Sequence, residues 1–313
     1  MKEDSIRVGG FSIVIDQHHY GKYLTPQENK LFKITYLESN QDEFQHMDTI
    51  SKIPRAKDYF ALTENIKFKI DSFPKFLEEV EQIIIDKEVD TMKSQTLVGF
   101  FIDNAGDKEI FETVIEMIVD RKSSFWKKSQ DILNFSRHVI EGLDYLHQEK
   151  ICHLDVKLEN IMLDTKTKKF KIIDFGYATL EPFTKFIEYP RGTPGYFPQY
   201  IAEAKISKYH PLIKANDMIY DDEGCLPIRR NPSLVYKIDS YCLGRTLYCL
   251  WIAFQDIQPV KCSCFGKVKL TKTEKTIKKI IDELLVNNIH QRKTVSQIRR
   301  KYFEEDIIKI TPV

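Results

Sequence analysis

Over residues 1 to about 103, short apolar runs alternate with polar loops. Residues 11–15 (Phe-Ser-Ile-Val-Ile), 31–35 (Leu-Phe-Lys-Ile-Thr), 59–62 (Tyr-Phe-Ala-Leu) and 96–102 (Thr-Leu-Val-Gly-Phe-Phe-Ile) read as strands. Val, Ile, Phe and Tyr fit a pleated, half-buried surface, and Gly, Asn, Gln and Pro punctuate between the runs. Two segments switch to a helical period. Residues 41–53 space Phe44, Met47 and Ile50 by three and stop at Pro54. Residues 73–85 place Phe73, Phe76, Leu77, Val80, Ile83 and Ile84 on one face, with Glu78, Glu79 and Glu81 away from it; Ser72 is the expected N-cap, and Pro74 suits the first turn. From about residue 110 the helical period dominates. Residues 132–147 carry a broad apolar face, 238–254 are apolar nearly all round as a buried helix would be, and 277–286 and 295–303 read as surface helices near the end of the chain. Residues 201–235, with Pro211, Gly224, Pro227 and Pro232, read as a long loop or insert. The expectation is an α+β protein with a β-rich lobe over 1–103, including an inserted helix at about 73–92, and a larger helical lobe over 104–313. A ligand cleft is expected between two such lobes.

Composition narrows the function classes. Apolar types make up 42% of 313 residues, with 20 Phe and 15 Tyr, too many for a disordered chain. Lys and Arg number 47 against 46 Asp and Glu, so no global field favours nucleic acid or an anionic membrane. Six cysteines do not make a disulfide framework and read as reduced thiols. The start, Met1-Lys2-Glu3-Asp4, lacks the apolar core of a signal peptide, and the longest apolar stretch, 241–254, is interrupted by Arg245. The expected setting is cytoplasmic, without membrane or nucleic-acid partners.

The strongest chemical signal is His153-Leu154-Asp155-Val156-Lys157-Leu158-Glu159-Asn160, after the 132–147 helix. Asp174-Phe175-Gly176 follows fourteen residues beyond Asn160, directly after an apolar run. An Asn and an Asp on adjacent loops supply hard oxygen ligands for Mg²⁺. A separate Asp can orient or accept the proton of a hydroxyl, and a Lys can steady a phosphoryl group in flight. Phosphoryl transfer needs these parts because its catalysis is mostly positioning and charge neutralisation.

The order and spacing resemble the eukaryotic-type protein kinase family, whose catalytic loop reads His-x-Asp-x-Lys-x-x-Asn. The resemblance implies a two-lobed kinase-like fold and use of ATP and Mg²⁺. It implies that Asp155 is the catalytic base or orienter, Lys157 the phosphate-contacting lysine of serine/threonine-specific members, and Asn160 and Asp174 the metal ligands. Gly192-Thr193-Pro194-Gly195-Tyr196 resembles the segment on which a substrate peptide docks, with Thr193 near Asp155 and Lys157. Asp239, opening the buried helix, resembles the residue that holds the catalytic-loop backbone, and Arg292 matches the family's late arginine.

The N-terminal lobe matches less closely. Residues 7–14 (Arg-Val-Gly-Gly-Phe-Ser-Ile-Val) stand where the family has a glycine-rich hairpin over the phosphates, with Gly9 in the second glycine's place, Gly10 beside it, and Arg7 and Ser12 where the first and third would be. Lys33 resembles the lysine that contacts the α- and β-phosphates. Its ion-pair partner is Glu43, with Glu38 the rival. By the same mapping the adenine lies between Val14 and Leu31 above and Met162 below, Leu31 standing where alanine is usual; residues 103–106 resemble the interlobe hinge. Three departures stand out. Leu154 replaces the arginine that receives an activation-segment phosphate. Gln199 replaces the glutamate that pairs with the late arginine. About forty residues separate Gln199 from Asp239, which makes 201–235 an elaboration of this protein.

The implied function is ATP-dependent transfer of a γ-phosphoryl group to protein Ser or Thr hydroxyls. The alternative is a pseudokinase, a binding or scaffolding module with the same fold. A kinase for small molecules is disfavoured by Lys157 and by the 192–196 segment. The divergent glycine loop and the insert resemble kinases of large DNA viruses or protists, which would place it in host cytoplasm or virion. Elsewhere, Cys262 and Cys264 read as a thiol pair, His18 and His19 as solvated loop residues, and 166–171 as a polar hairpin.

Overall fold

The computed structural model describes residues 6–8, 12–36, 41–64, 67–86, 96–183, 192–198, 228, 231–258 and 270–304. The chain divides into two compact units, Met1–Ala105 and Gly106–Val313. Among the described residues, no helix is long and apolar enough to cross a membrane.

The first unit contains β1 (Ile6–Val8), β2 (Ser12–Ile15), α1 (Gln17–Tyr20), β3 (Lys30–Tyr36), α2 (Gln41–Ser51), α3 (Ala56–Tyr59), β4 (Phe68–Lys69), α4 (Pro74–Asp86) and β5 (Leu97–Asp103). The strands form one antiparallel sheet in the order β1-β2-β3-β5-β4. Ile13, Ile15, Phe32, Ile34 and Phe101 of the sheet are buried with Phe76, Val80, Ile83 and Ile84 of α4. Those four helix positions recur at the helical period, so α4 spends its apolar stripe on its own sheet. Phe76 also stacks on Tyr23 at 4.8 Å. Gly99 of β5 lies under the Phe32 ring, where a Cβ would come within 2.3 Å of ring carbons.

Three local expectations are corrected here. Residues 59–62 are not a continuous strand: Tyr59 ends α3, and beyond it Phe60 and Thr63 make isolated bridges, Thr63 with Ile102. Tyr59, Phe60, Ala61 and Leu62 are all buried, and burial is what an apolar run encodes; the run does not choose between strand and helix end. Ser72 is not the N-cap of α4. It closes a 3-10 turn (Ile70–Ser72), and the helix starts at Pro74, one residue too late for a Ser72 cap. His18 and His19 lie in the short helix α1 and not in a loop; His18 is exposed as expected, while the His19 N–H donates to the N-cap Asp16 and its ring pairs with Glu79 of α4.

The second unit contains β6 (Lys108–Glu109), α5 (Ile110–Val119), α6 (Ser129–Gln148), β7 (Ile151–Cys152), β8 (Ile161–Asp164), β9 (Lys169–Ile172), β10 (Thr179–Leu180), α7 (Tyr236–Ile257), α8 (Lys272–Leu284) and α9 (Val295–Phe303). The strands make two small antiparallel sheets, β6-β8-β9 and β7-β10. Helix α7 packs against α5, α6 and α8, and its Ile238, Leu243, Leu247, Leu250 and Phe254 are buried. The β8–β9 hairpin turns through the polar 165–168 segment, where Asp164 accepts from the N–H groups of Lys166 and Thr167. Of the 201–235 segment, only Ile228 and the stretch from 231, with a 3-10 turn (Pro232–Val235), are among the described residues. Cys262 and Cys264 lie outside them.

Candidate active site

The catalytic-loop segment runs between β7 and β8, and its backbone is fixed from α7. The Asp239 carboxylate, fully buried, accepts the His153 N–H at 2.8 Å, the Leu154 N–H at 2.7 Å and His147 Nε2 at 2.9 Å. Leu154 has a φ of 63°, which a branched side chain adopts only under constraint. The bonds from Asp239 supply that constraint. Farther along, the Thr246 hydroxyl of α7 lies between the Cys242 carbonyl at 2.9 Å and the Val156 carbonyl at 3.2 Å, sharing its proton between helix and loop. His153 accepts the Asp155 N–H at Nδ1 and lies 3.1 Å from the Ile173 carbonyl through Nε2, which ties the loop to the end of β9.

This frame holds Asp155 buried at the centre of four side-chain bonds. Oδ1 accepts from the Thr193 hydroxyl at 2.6 Å and the Thr193 N–H at 3.2 Å. Oδ2 accepts from Asn160 Nδ2 at 2.9 Å and pairs with Lys157 Nζ at 2.9 Å. Lys157 also donates to Thr193 Oγ1 at 2.9 Å, so the three side chains close a ring. Gly192 makes the approach of Thr193 possible. Its φ is 153°, and a Cβ there would lie 2.7 Å from the Phe197 ring and 3.2 Å from the Leu154 carbonyl oxygen. The same segment is tied to α7 by Arg245, whose Nε donates to the Gly195 carbonyl at 3.0 Å.

Asn160 and Asp174 occupy the same end of the β8–β9 hairpin. Asn160 precedes β8, Asp174 follows Ile173, and the Ile173 N–H donates to the Asn160 carbonyl at 3.0 Å. Asn160 turns its Nδ2 toward Asp155, which directs Oδ1 the other way. Asp174 has a φ of 62° and accepts the Gly176 N–H at 3.3 Å. An amide oxygen and a carboxylate at one hairpin end form a hard-oxygen donor set that fits Mg²⁺.

In the first unit, Lys33 of β3 and Glu43 of α2 are 7% and 6% exposed, and Nζ lies 2.8 Å from Oε1. Glu38 lies outside the described residues, as do Gly9 and Gly10. Val14 and Leu31 are half-buried on β2 and β3, with Val14 directly opposite Lys33 in the sheet register. Met162 is buried on β8, opposite Lys171. Arg292 is buried in the second unit, where it donates to the carbonyls of Val286, Asn287 and Lys237 and lies 4.6 Å from the Tyr241 ring centre. Gln199 is outside the described residues.

Sequence reasoning missed His147 and Thr246 as anchors of the loop. The readable signal was a hydroxyl on the buried face of an apolar helix, together with a histidine at the end of an amphipathic one. Two buried cysteines flank the frame. Burial, reinforced by the Asp239 charge, pushes the Cys152 and Cys242 thiols well up, so both stay protonated and unreactive near neutral pH.

Comparisons with known proteins find similarity to protein kinases. The protein kinase domain family model matches residues 75–218. A probable serine/threonine-protein kinase of Saccharomyces cerevisiae, HSL1, is 39% identical over 67 residues, 21% of this chain and 4% of that protein. Myosin light chain kinase 3 of Danio rerio is 32% identical over 103 residues, 33% of this chain and 14% of that protein. The chain therefore spans a small part of the length of these curated relatives. Among solved structures, the kinase PK-1 of Cydia pomonella granulovirus is similar over 96% of this chain and 92% of its own, with a TM-score of 0.54 at 15% identity. The chain has the protein kinase fold. Part of it is similar in sequence to the protein kinase domain family and to the serine/threonine kinases named above.

Proposed function

We propose that this protein is an ATP- and Mg²⁺-dependent protein kinase that phosphorylates Ser and Thr hydroxyls of protein substrates in the cytoplasm. The observation that carries the reading is the closed set around Asp155, in which a buried carboxylate, a lysine and a threonine hydroxyl share one ring of hydrogen bonds. In this reading Asp155 orients the acceptor hydroxyl and takes its proton. Lys157 steadies the transferring group, and Thr193 sets the register of the acceptor segment. Asn160 and Asp174 would hold Mg²⁺, which supplies neutralisation of the phosphate charge. Within the first unit, Lys33, held by Glu43, would contact the α- and β-phosphates with Gly9 and Gly10 over them, and Val14 and Leu31 would meet the adenine.

The test is incubation of the pure protein with γ-labelled ATP, Mg²⁺ and generic acceptor proteins, followed by phosphoamino-acid analysis. Label on Ser and Thr, lost in Asp174→Ala, is the expected result. Predominant phosphotyrosine refutes the specificity. No transfer, together with no thermal shift on adding Mg·ATP, makes the chain a binding or scaffolding module instead.

A further inference from the structure

Arg245 of α7 reaches the segment on which the acceptor is proposed to dock. Its Nε donates to the Gly195 carbonyl at 3.0 Å, and its guanidinium carbon lies 5.6 Å from the centre of the Tyr248 ring, within one turn along α7. A hydrogen bond at one edge and an aromatic ring beside it hold the group in place. Tyr248 is 41% exposed and Arg245 only half-buried, so this corner belongs to the surface. Other arginines of the second unit are engaged by the protein itself: Arg121, Arg137 and Arg299 each meet a carboxylate, and Arg292 donates to three carbonyls. Arg245 meets no carboxylate among the described residues. Glu159, the acid of the catalytic loop beside Tyr196, is bonded by the Tyr196 hydroxyl instead. A guanidinium carries donors on all three nitrogens, and the Gly195 carbonyl uses only the one on Nε.

We propose that, on the kinase reading above, Arg245 is a specificity-determining residue that takes an Asp or Glu side chain of the acceptor segment, about two to four positions from the Ser or Thr that receives the phosphoryl group. The position follows from reach. Thr193 is bonded to Asp155 and lies two residues from Gly195, a span of at most about 7 Å. The arginine fork adds a few ångströms, and an extended acceptor advances about 3.3 Å per residue. The choice of a carboxylate follows from the fork. With Nε engaged, the terminal nitrogens present two parallel N–H bonds, which match the two oxygens of a carboxylate. Half-burial beside Tyr248 weakens screening by water, so the pair is stronger than one on open surface. The same cation repels a Lys or Arg at that position, which adds rejection to attraction.

The test is fluorescence anisotropy of labelled Ser peptides added to the full chain, a binding measurement that needs no catalysis. The peptides differ only at those positions, before or after the Ser: Asp and Glu in one peptide, Asn and Gln in its match. The wild type should bind an acidic peptide about fivefold tighter than its neutral match, on one side of the Ser or on both. Arg245→Gln should bring that ratio to about one, and Arg245→Glu should favour a Lys-bearing peptide instead. Arg245→Lys keeps the charge without the fork; it should retain only part of the preference and serves if the other variants do not fold. A purely structural tether to Gly195 would weaken both peptides of a pair alike and leave the ratio standing, and that result overturns the proposal. So does a wild type that binds the pair equally or binds no peptide. Label transfer from ATP to the same peptides keeps the two assignments apart. Transfer without acidic preference removes the role of Arg245 alone, and acidic preference in binding without transfer removes the catalysis alone.

Discussion

The buried charges of the two units are built by different means. Lys33 and Glu43 meet at 2.8 Å between a strand and a helix only ten residues apart in sequence. In the second unit, Asp155 is bonded by Lys157, Asn160 and Thr193, and the backbone beneath it is fixed by Asp239, more than eighty residues away. The Lys33–Glu43 contact joins a strand and a helix that are neighbours in sequence, so its geometry is set largely by local chain. The Asp155 set owes its geometry to a network anchored on α7, the most buried helix. Damage should therefore stay local at Lys33 and spread at Asp155, and variants can break or sharpen that contrast.

The largest effect is expected at the centre of the network. Asp155→Asn keeps the size of the side chain but removes the carboxylate that, on the proposed reading, takes the hydroxyl proton, and transfer should fall roughly 10³-fold. The initial rate of phosphate transfer from labelled ATP measures it. The carboxamide oxygen can still accept from Thr193, while its NH2 group faces the donors of Asn160 and Lys157; on the proposed reading the nucleotide is held mainly by other residues, so Mg·ATP binding followed by thermal shift should fall far less than the rate. A rate within tenfold of the wild type removes Asp155 from the chemistry.

Next comes the anchor. Asp239→Ala leaves two loop N–H groups and His147 without their acceptor in a fully buried place, and unfolding should become easier by about 3 kcal/mol. Urea unfolding reads the stability, and the transfer rate should fall as well, since Leu154 would no longer be held at positive φ. A variant with wild-type rate and stability shows that the loop holds itself.

At Lys33 the contrast is sharpened by a pair of variants. Lys33→Met leaves Glu43 buried without its cation and should cost about 3 kcal/mol or more of stability. Adding Glu43→Leu should recover most of that loss, because an apolar pair replaces the ionic one, yet activity should stay low in both. Recovery of the transfer rate in the double variant would remove Lys33 from nucleotide positioning.

The same contrast explains what was legible. The loop from His153 to Asn160 and the Asp174 turn are contiguous motifs, so residue types and spacing alone brought them into view, and the family match over residues 75–218 falls on them. That match begins inside α4 and leaves β3 and α2 out. Lys33 and Glu43 carry no local signature; they become a pair only through the approach of strand and helix, which pattern reading can suggest but not fix. Residues 59–62 were misread because aromatic and aliphatic residues satisfy a strand or a buried helix end equally. Helix α5 went unread as an element although Glu112 and Glu116 mark a polar side, because its apolar positions continue round onto the outer stripe of Phe111, Ile115, Ile118 and Val119. Thr246 and His147 needed the fold, since their partners lie ninety or more residues away.

The smallest expected effect concerns regulation, and it turns on Leu154. Where an arginine stands before the catalytic Asp, its charge must be neutralised by a phosphate before the neighbouring segment orders. Leu154 is 1% exposed and apolar, so it buries itself rather than awaiting a phosphate. The start of the segment is packed the same way: Phe183 is fully buried and meets the Tyr236 ring edge-on at 5.1 Å, and β10 pairs with β7 directly ahead of the catalytic loop. Leu180, at the end of β10, is half-buried; residues 184–191, with Thr184 and Tyr189, lie outside the described residues. With no cation at position 154 to quench, a phosphate on Thr184 or Tyr189 has nothing to gain there. Phosphatase-treated protein should keep most of its transfer rate, and Thr184→Ala and Tyr189→Phe should each stay within a few-fold of the wild type. A hundredfold loss on phosphatase treatment, restored by rephosphorylation, would mean that a basic residue elsewhere in the second unit receives the phosphate in place of the missing arginine.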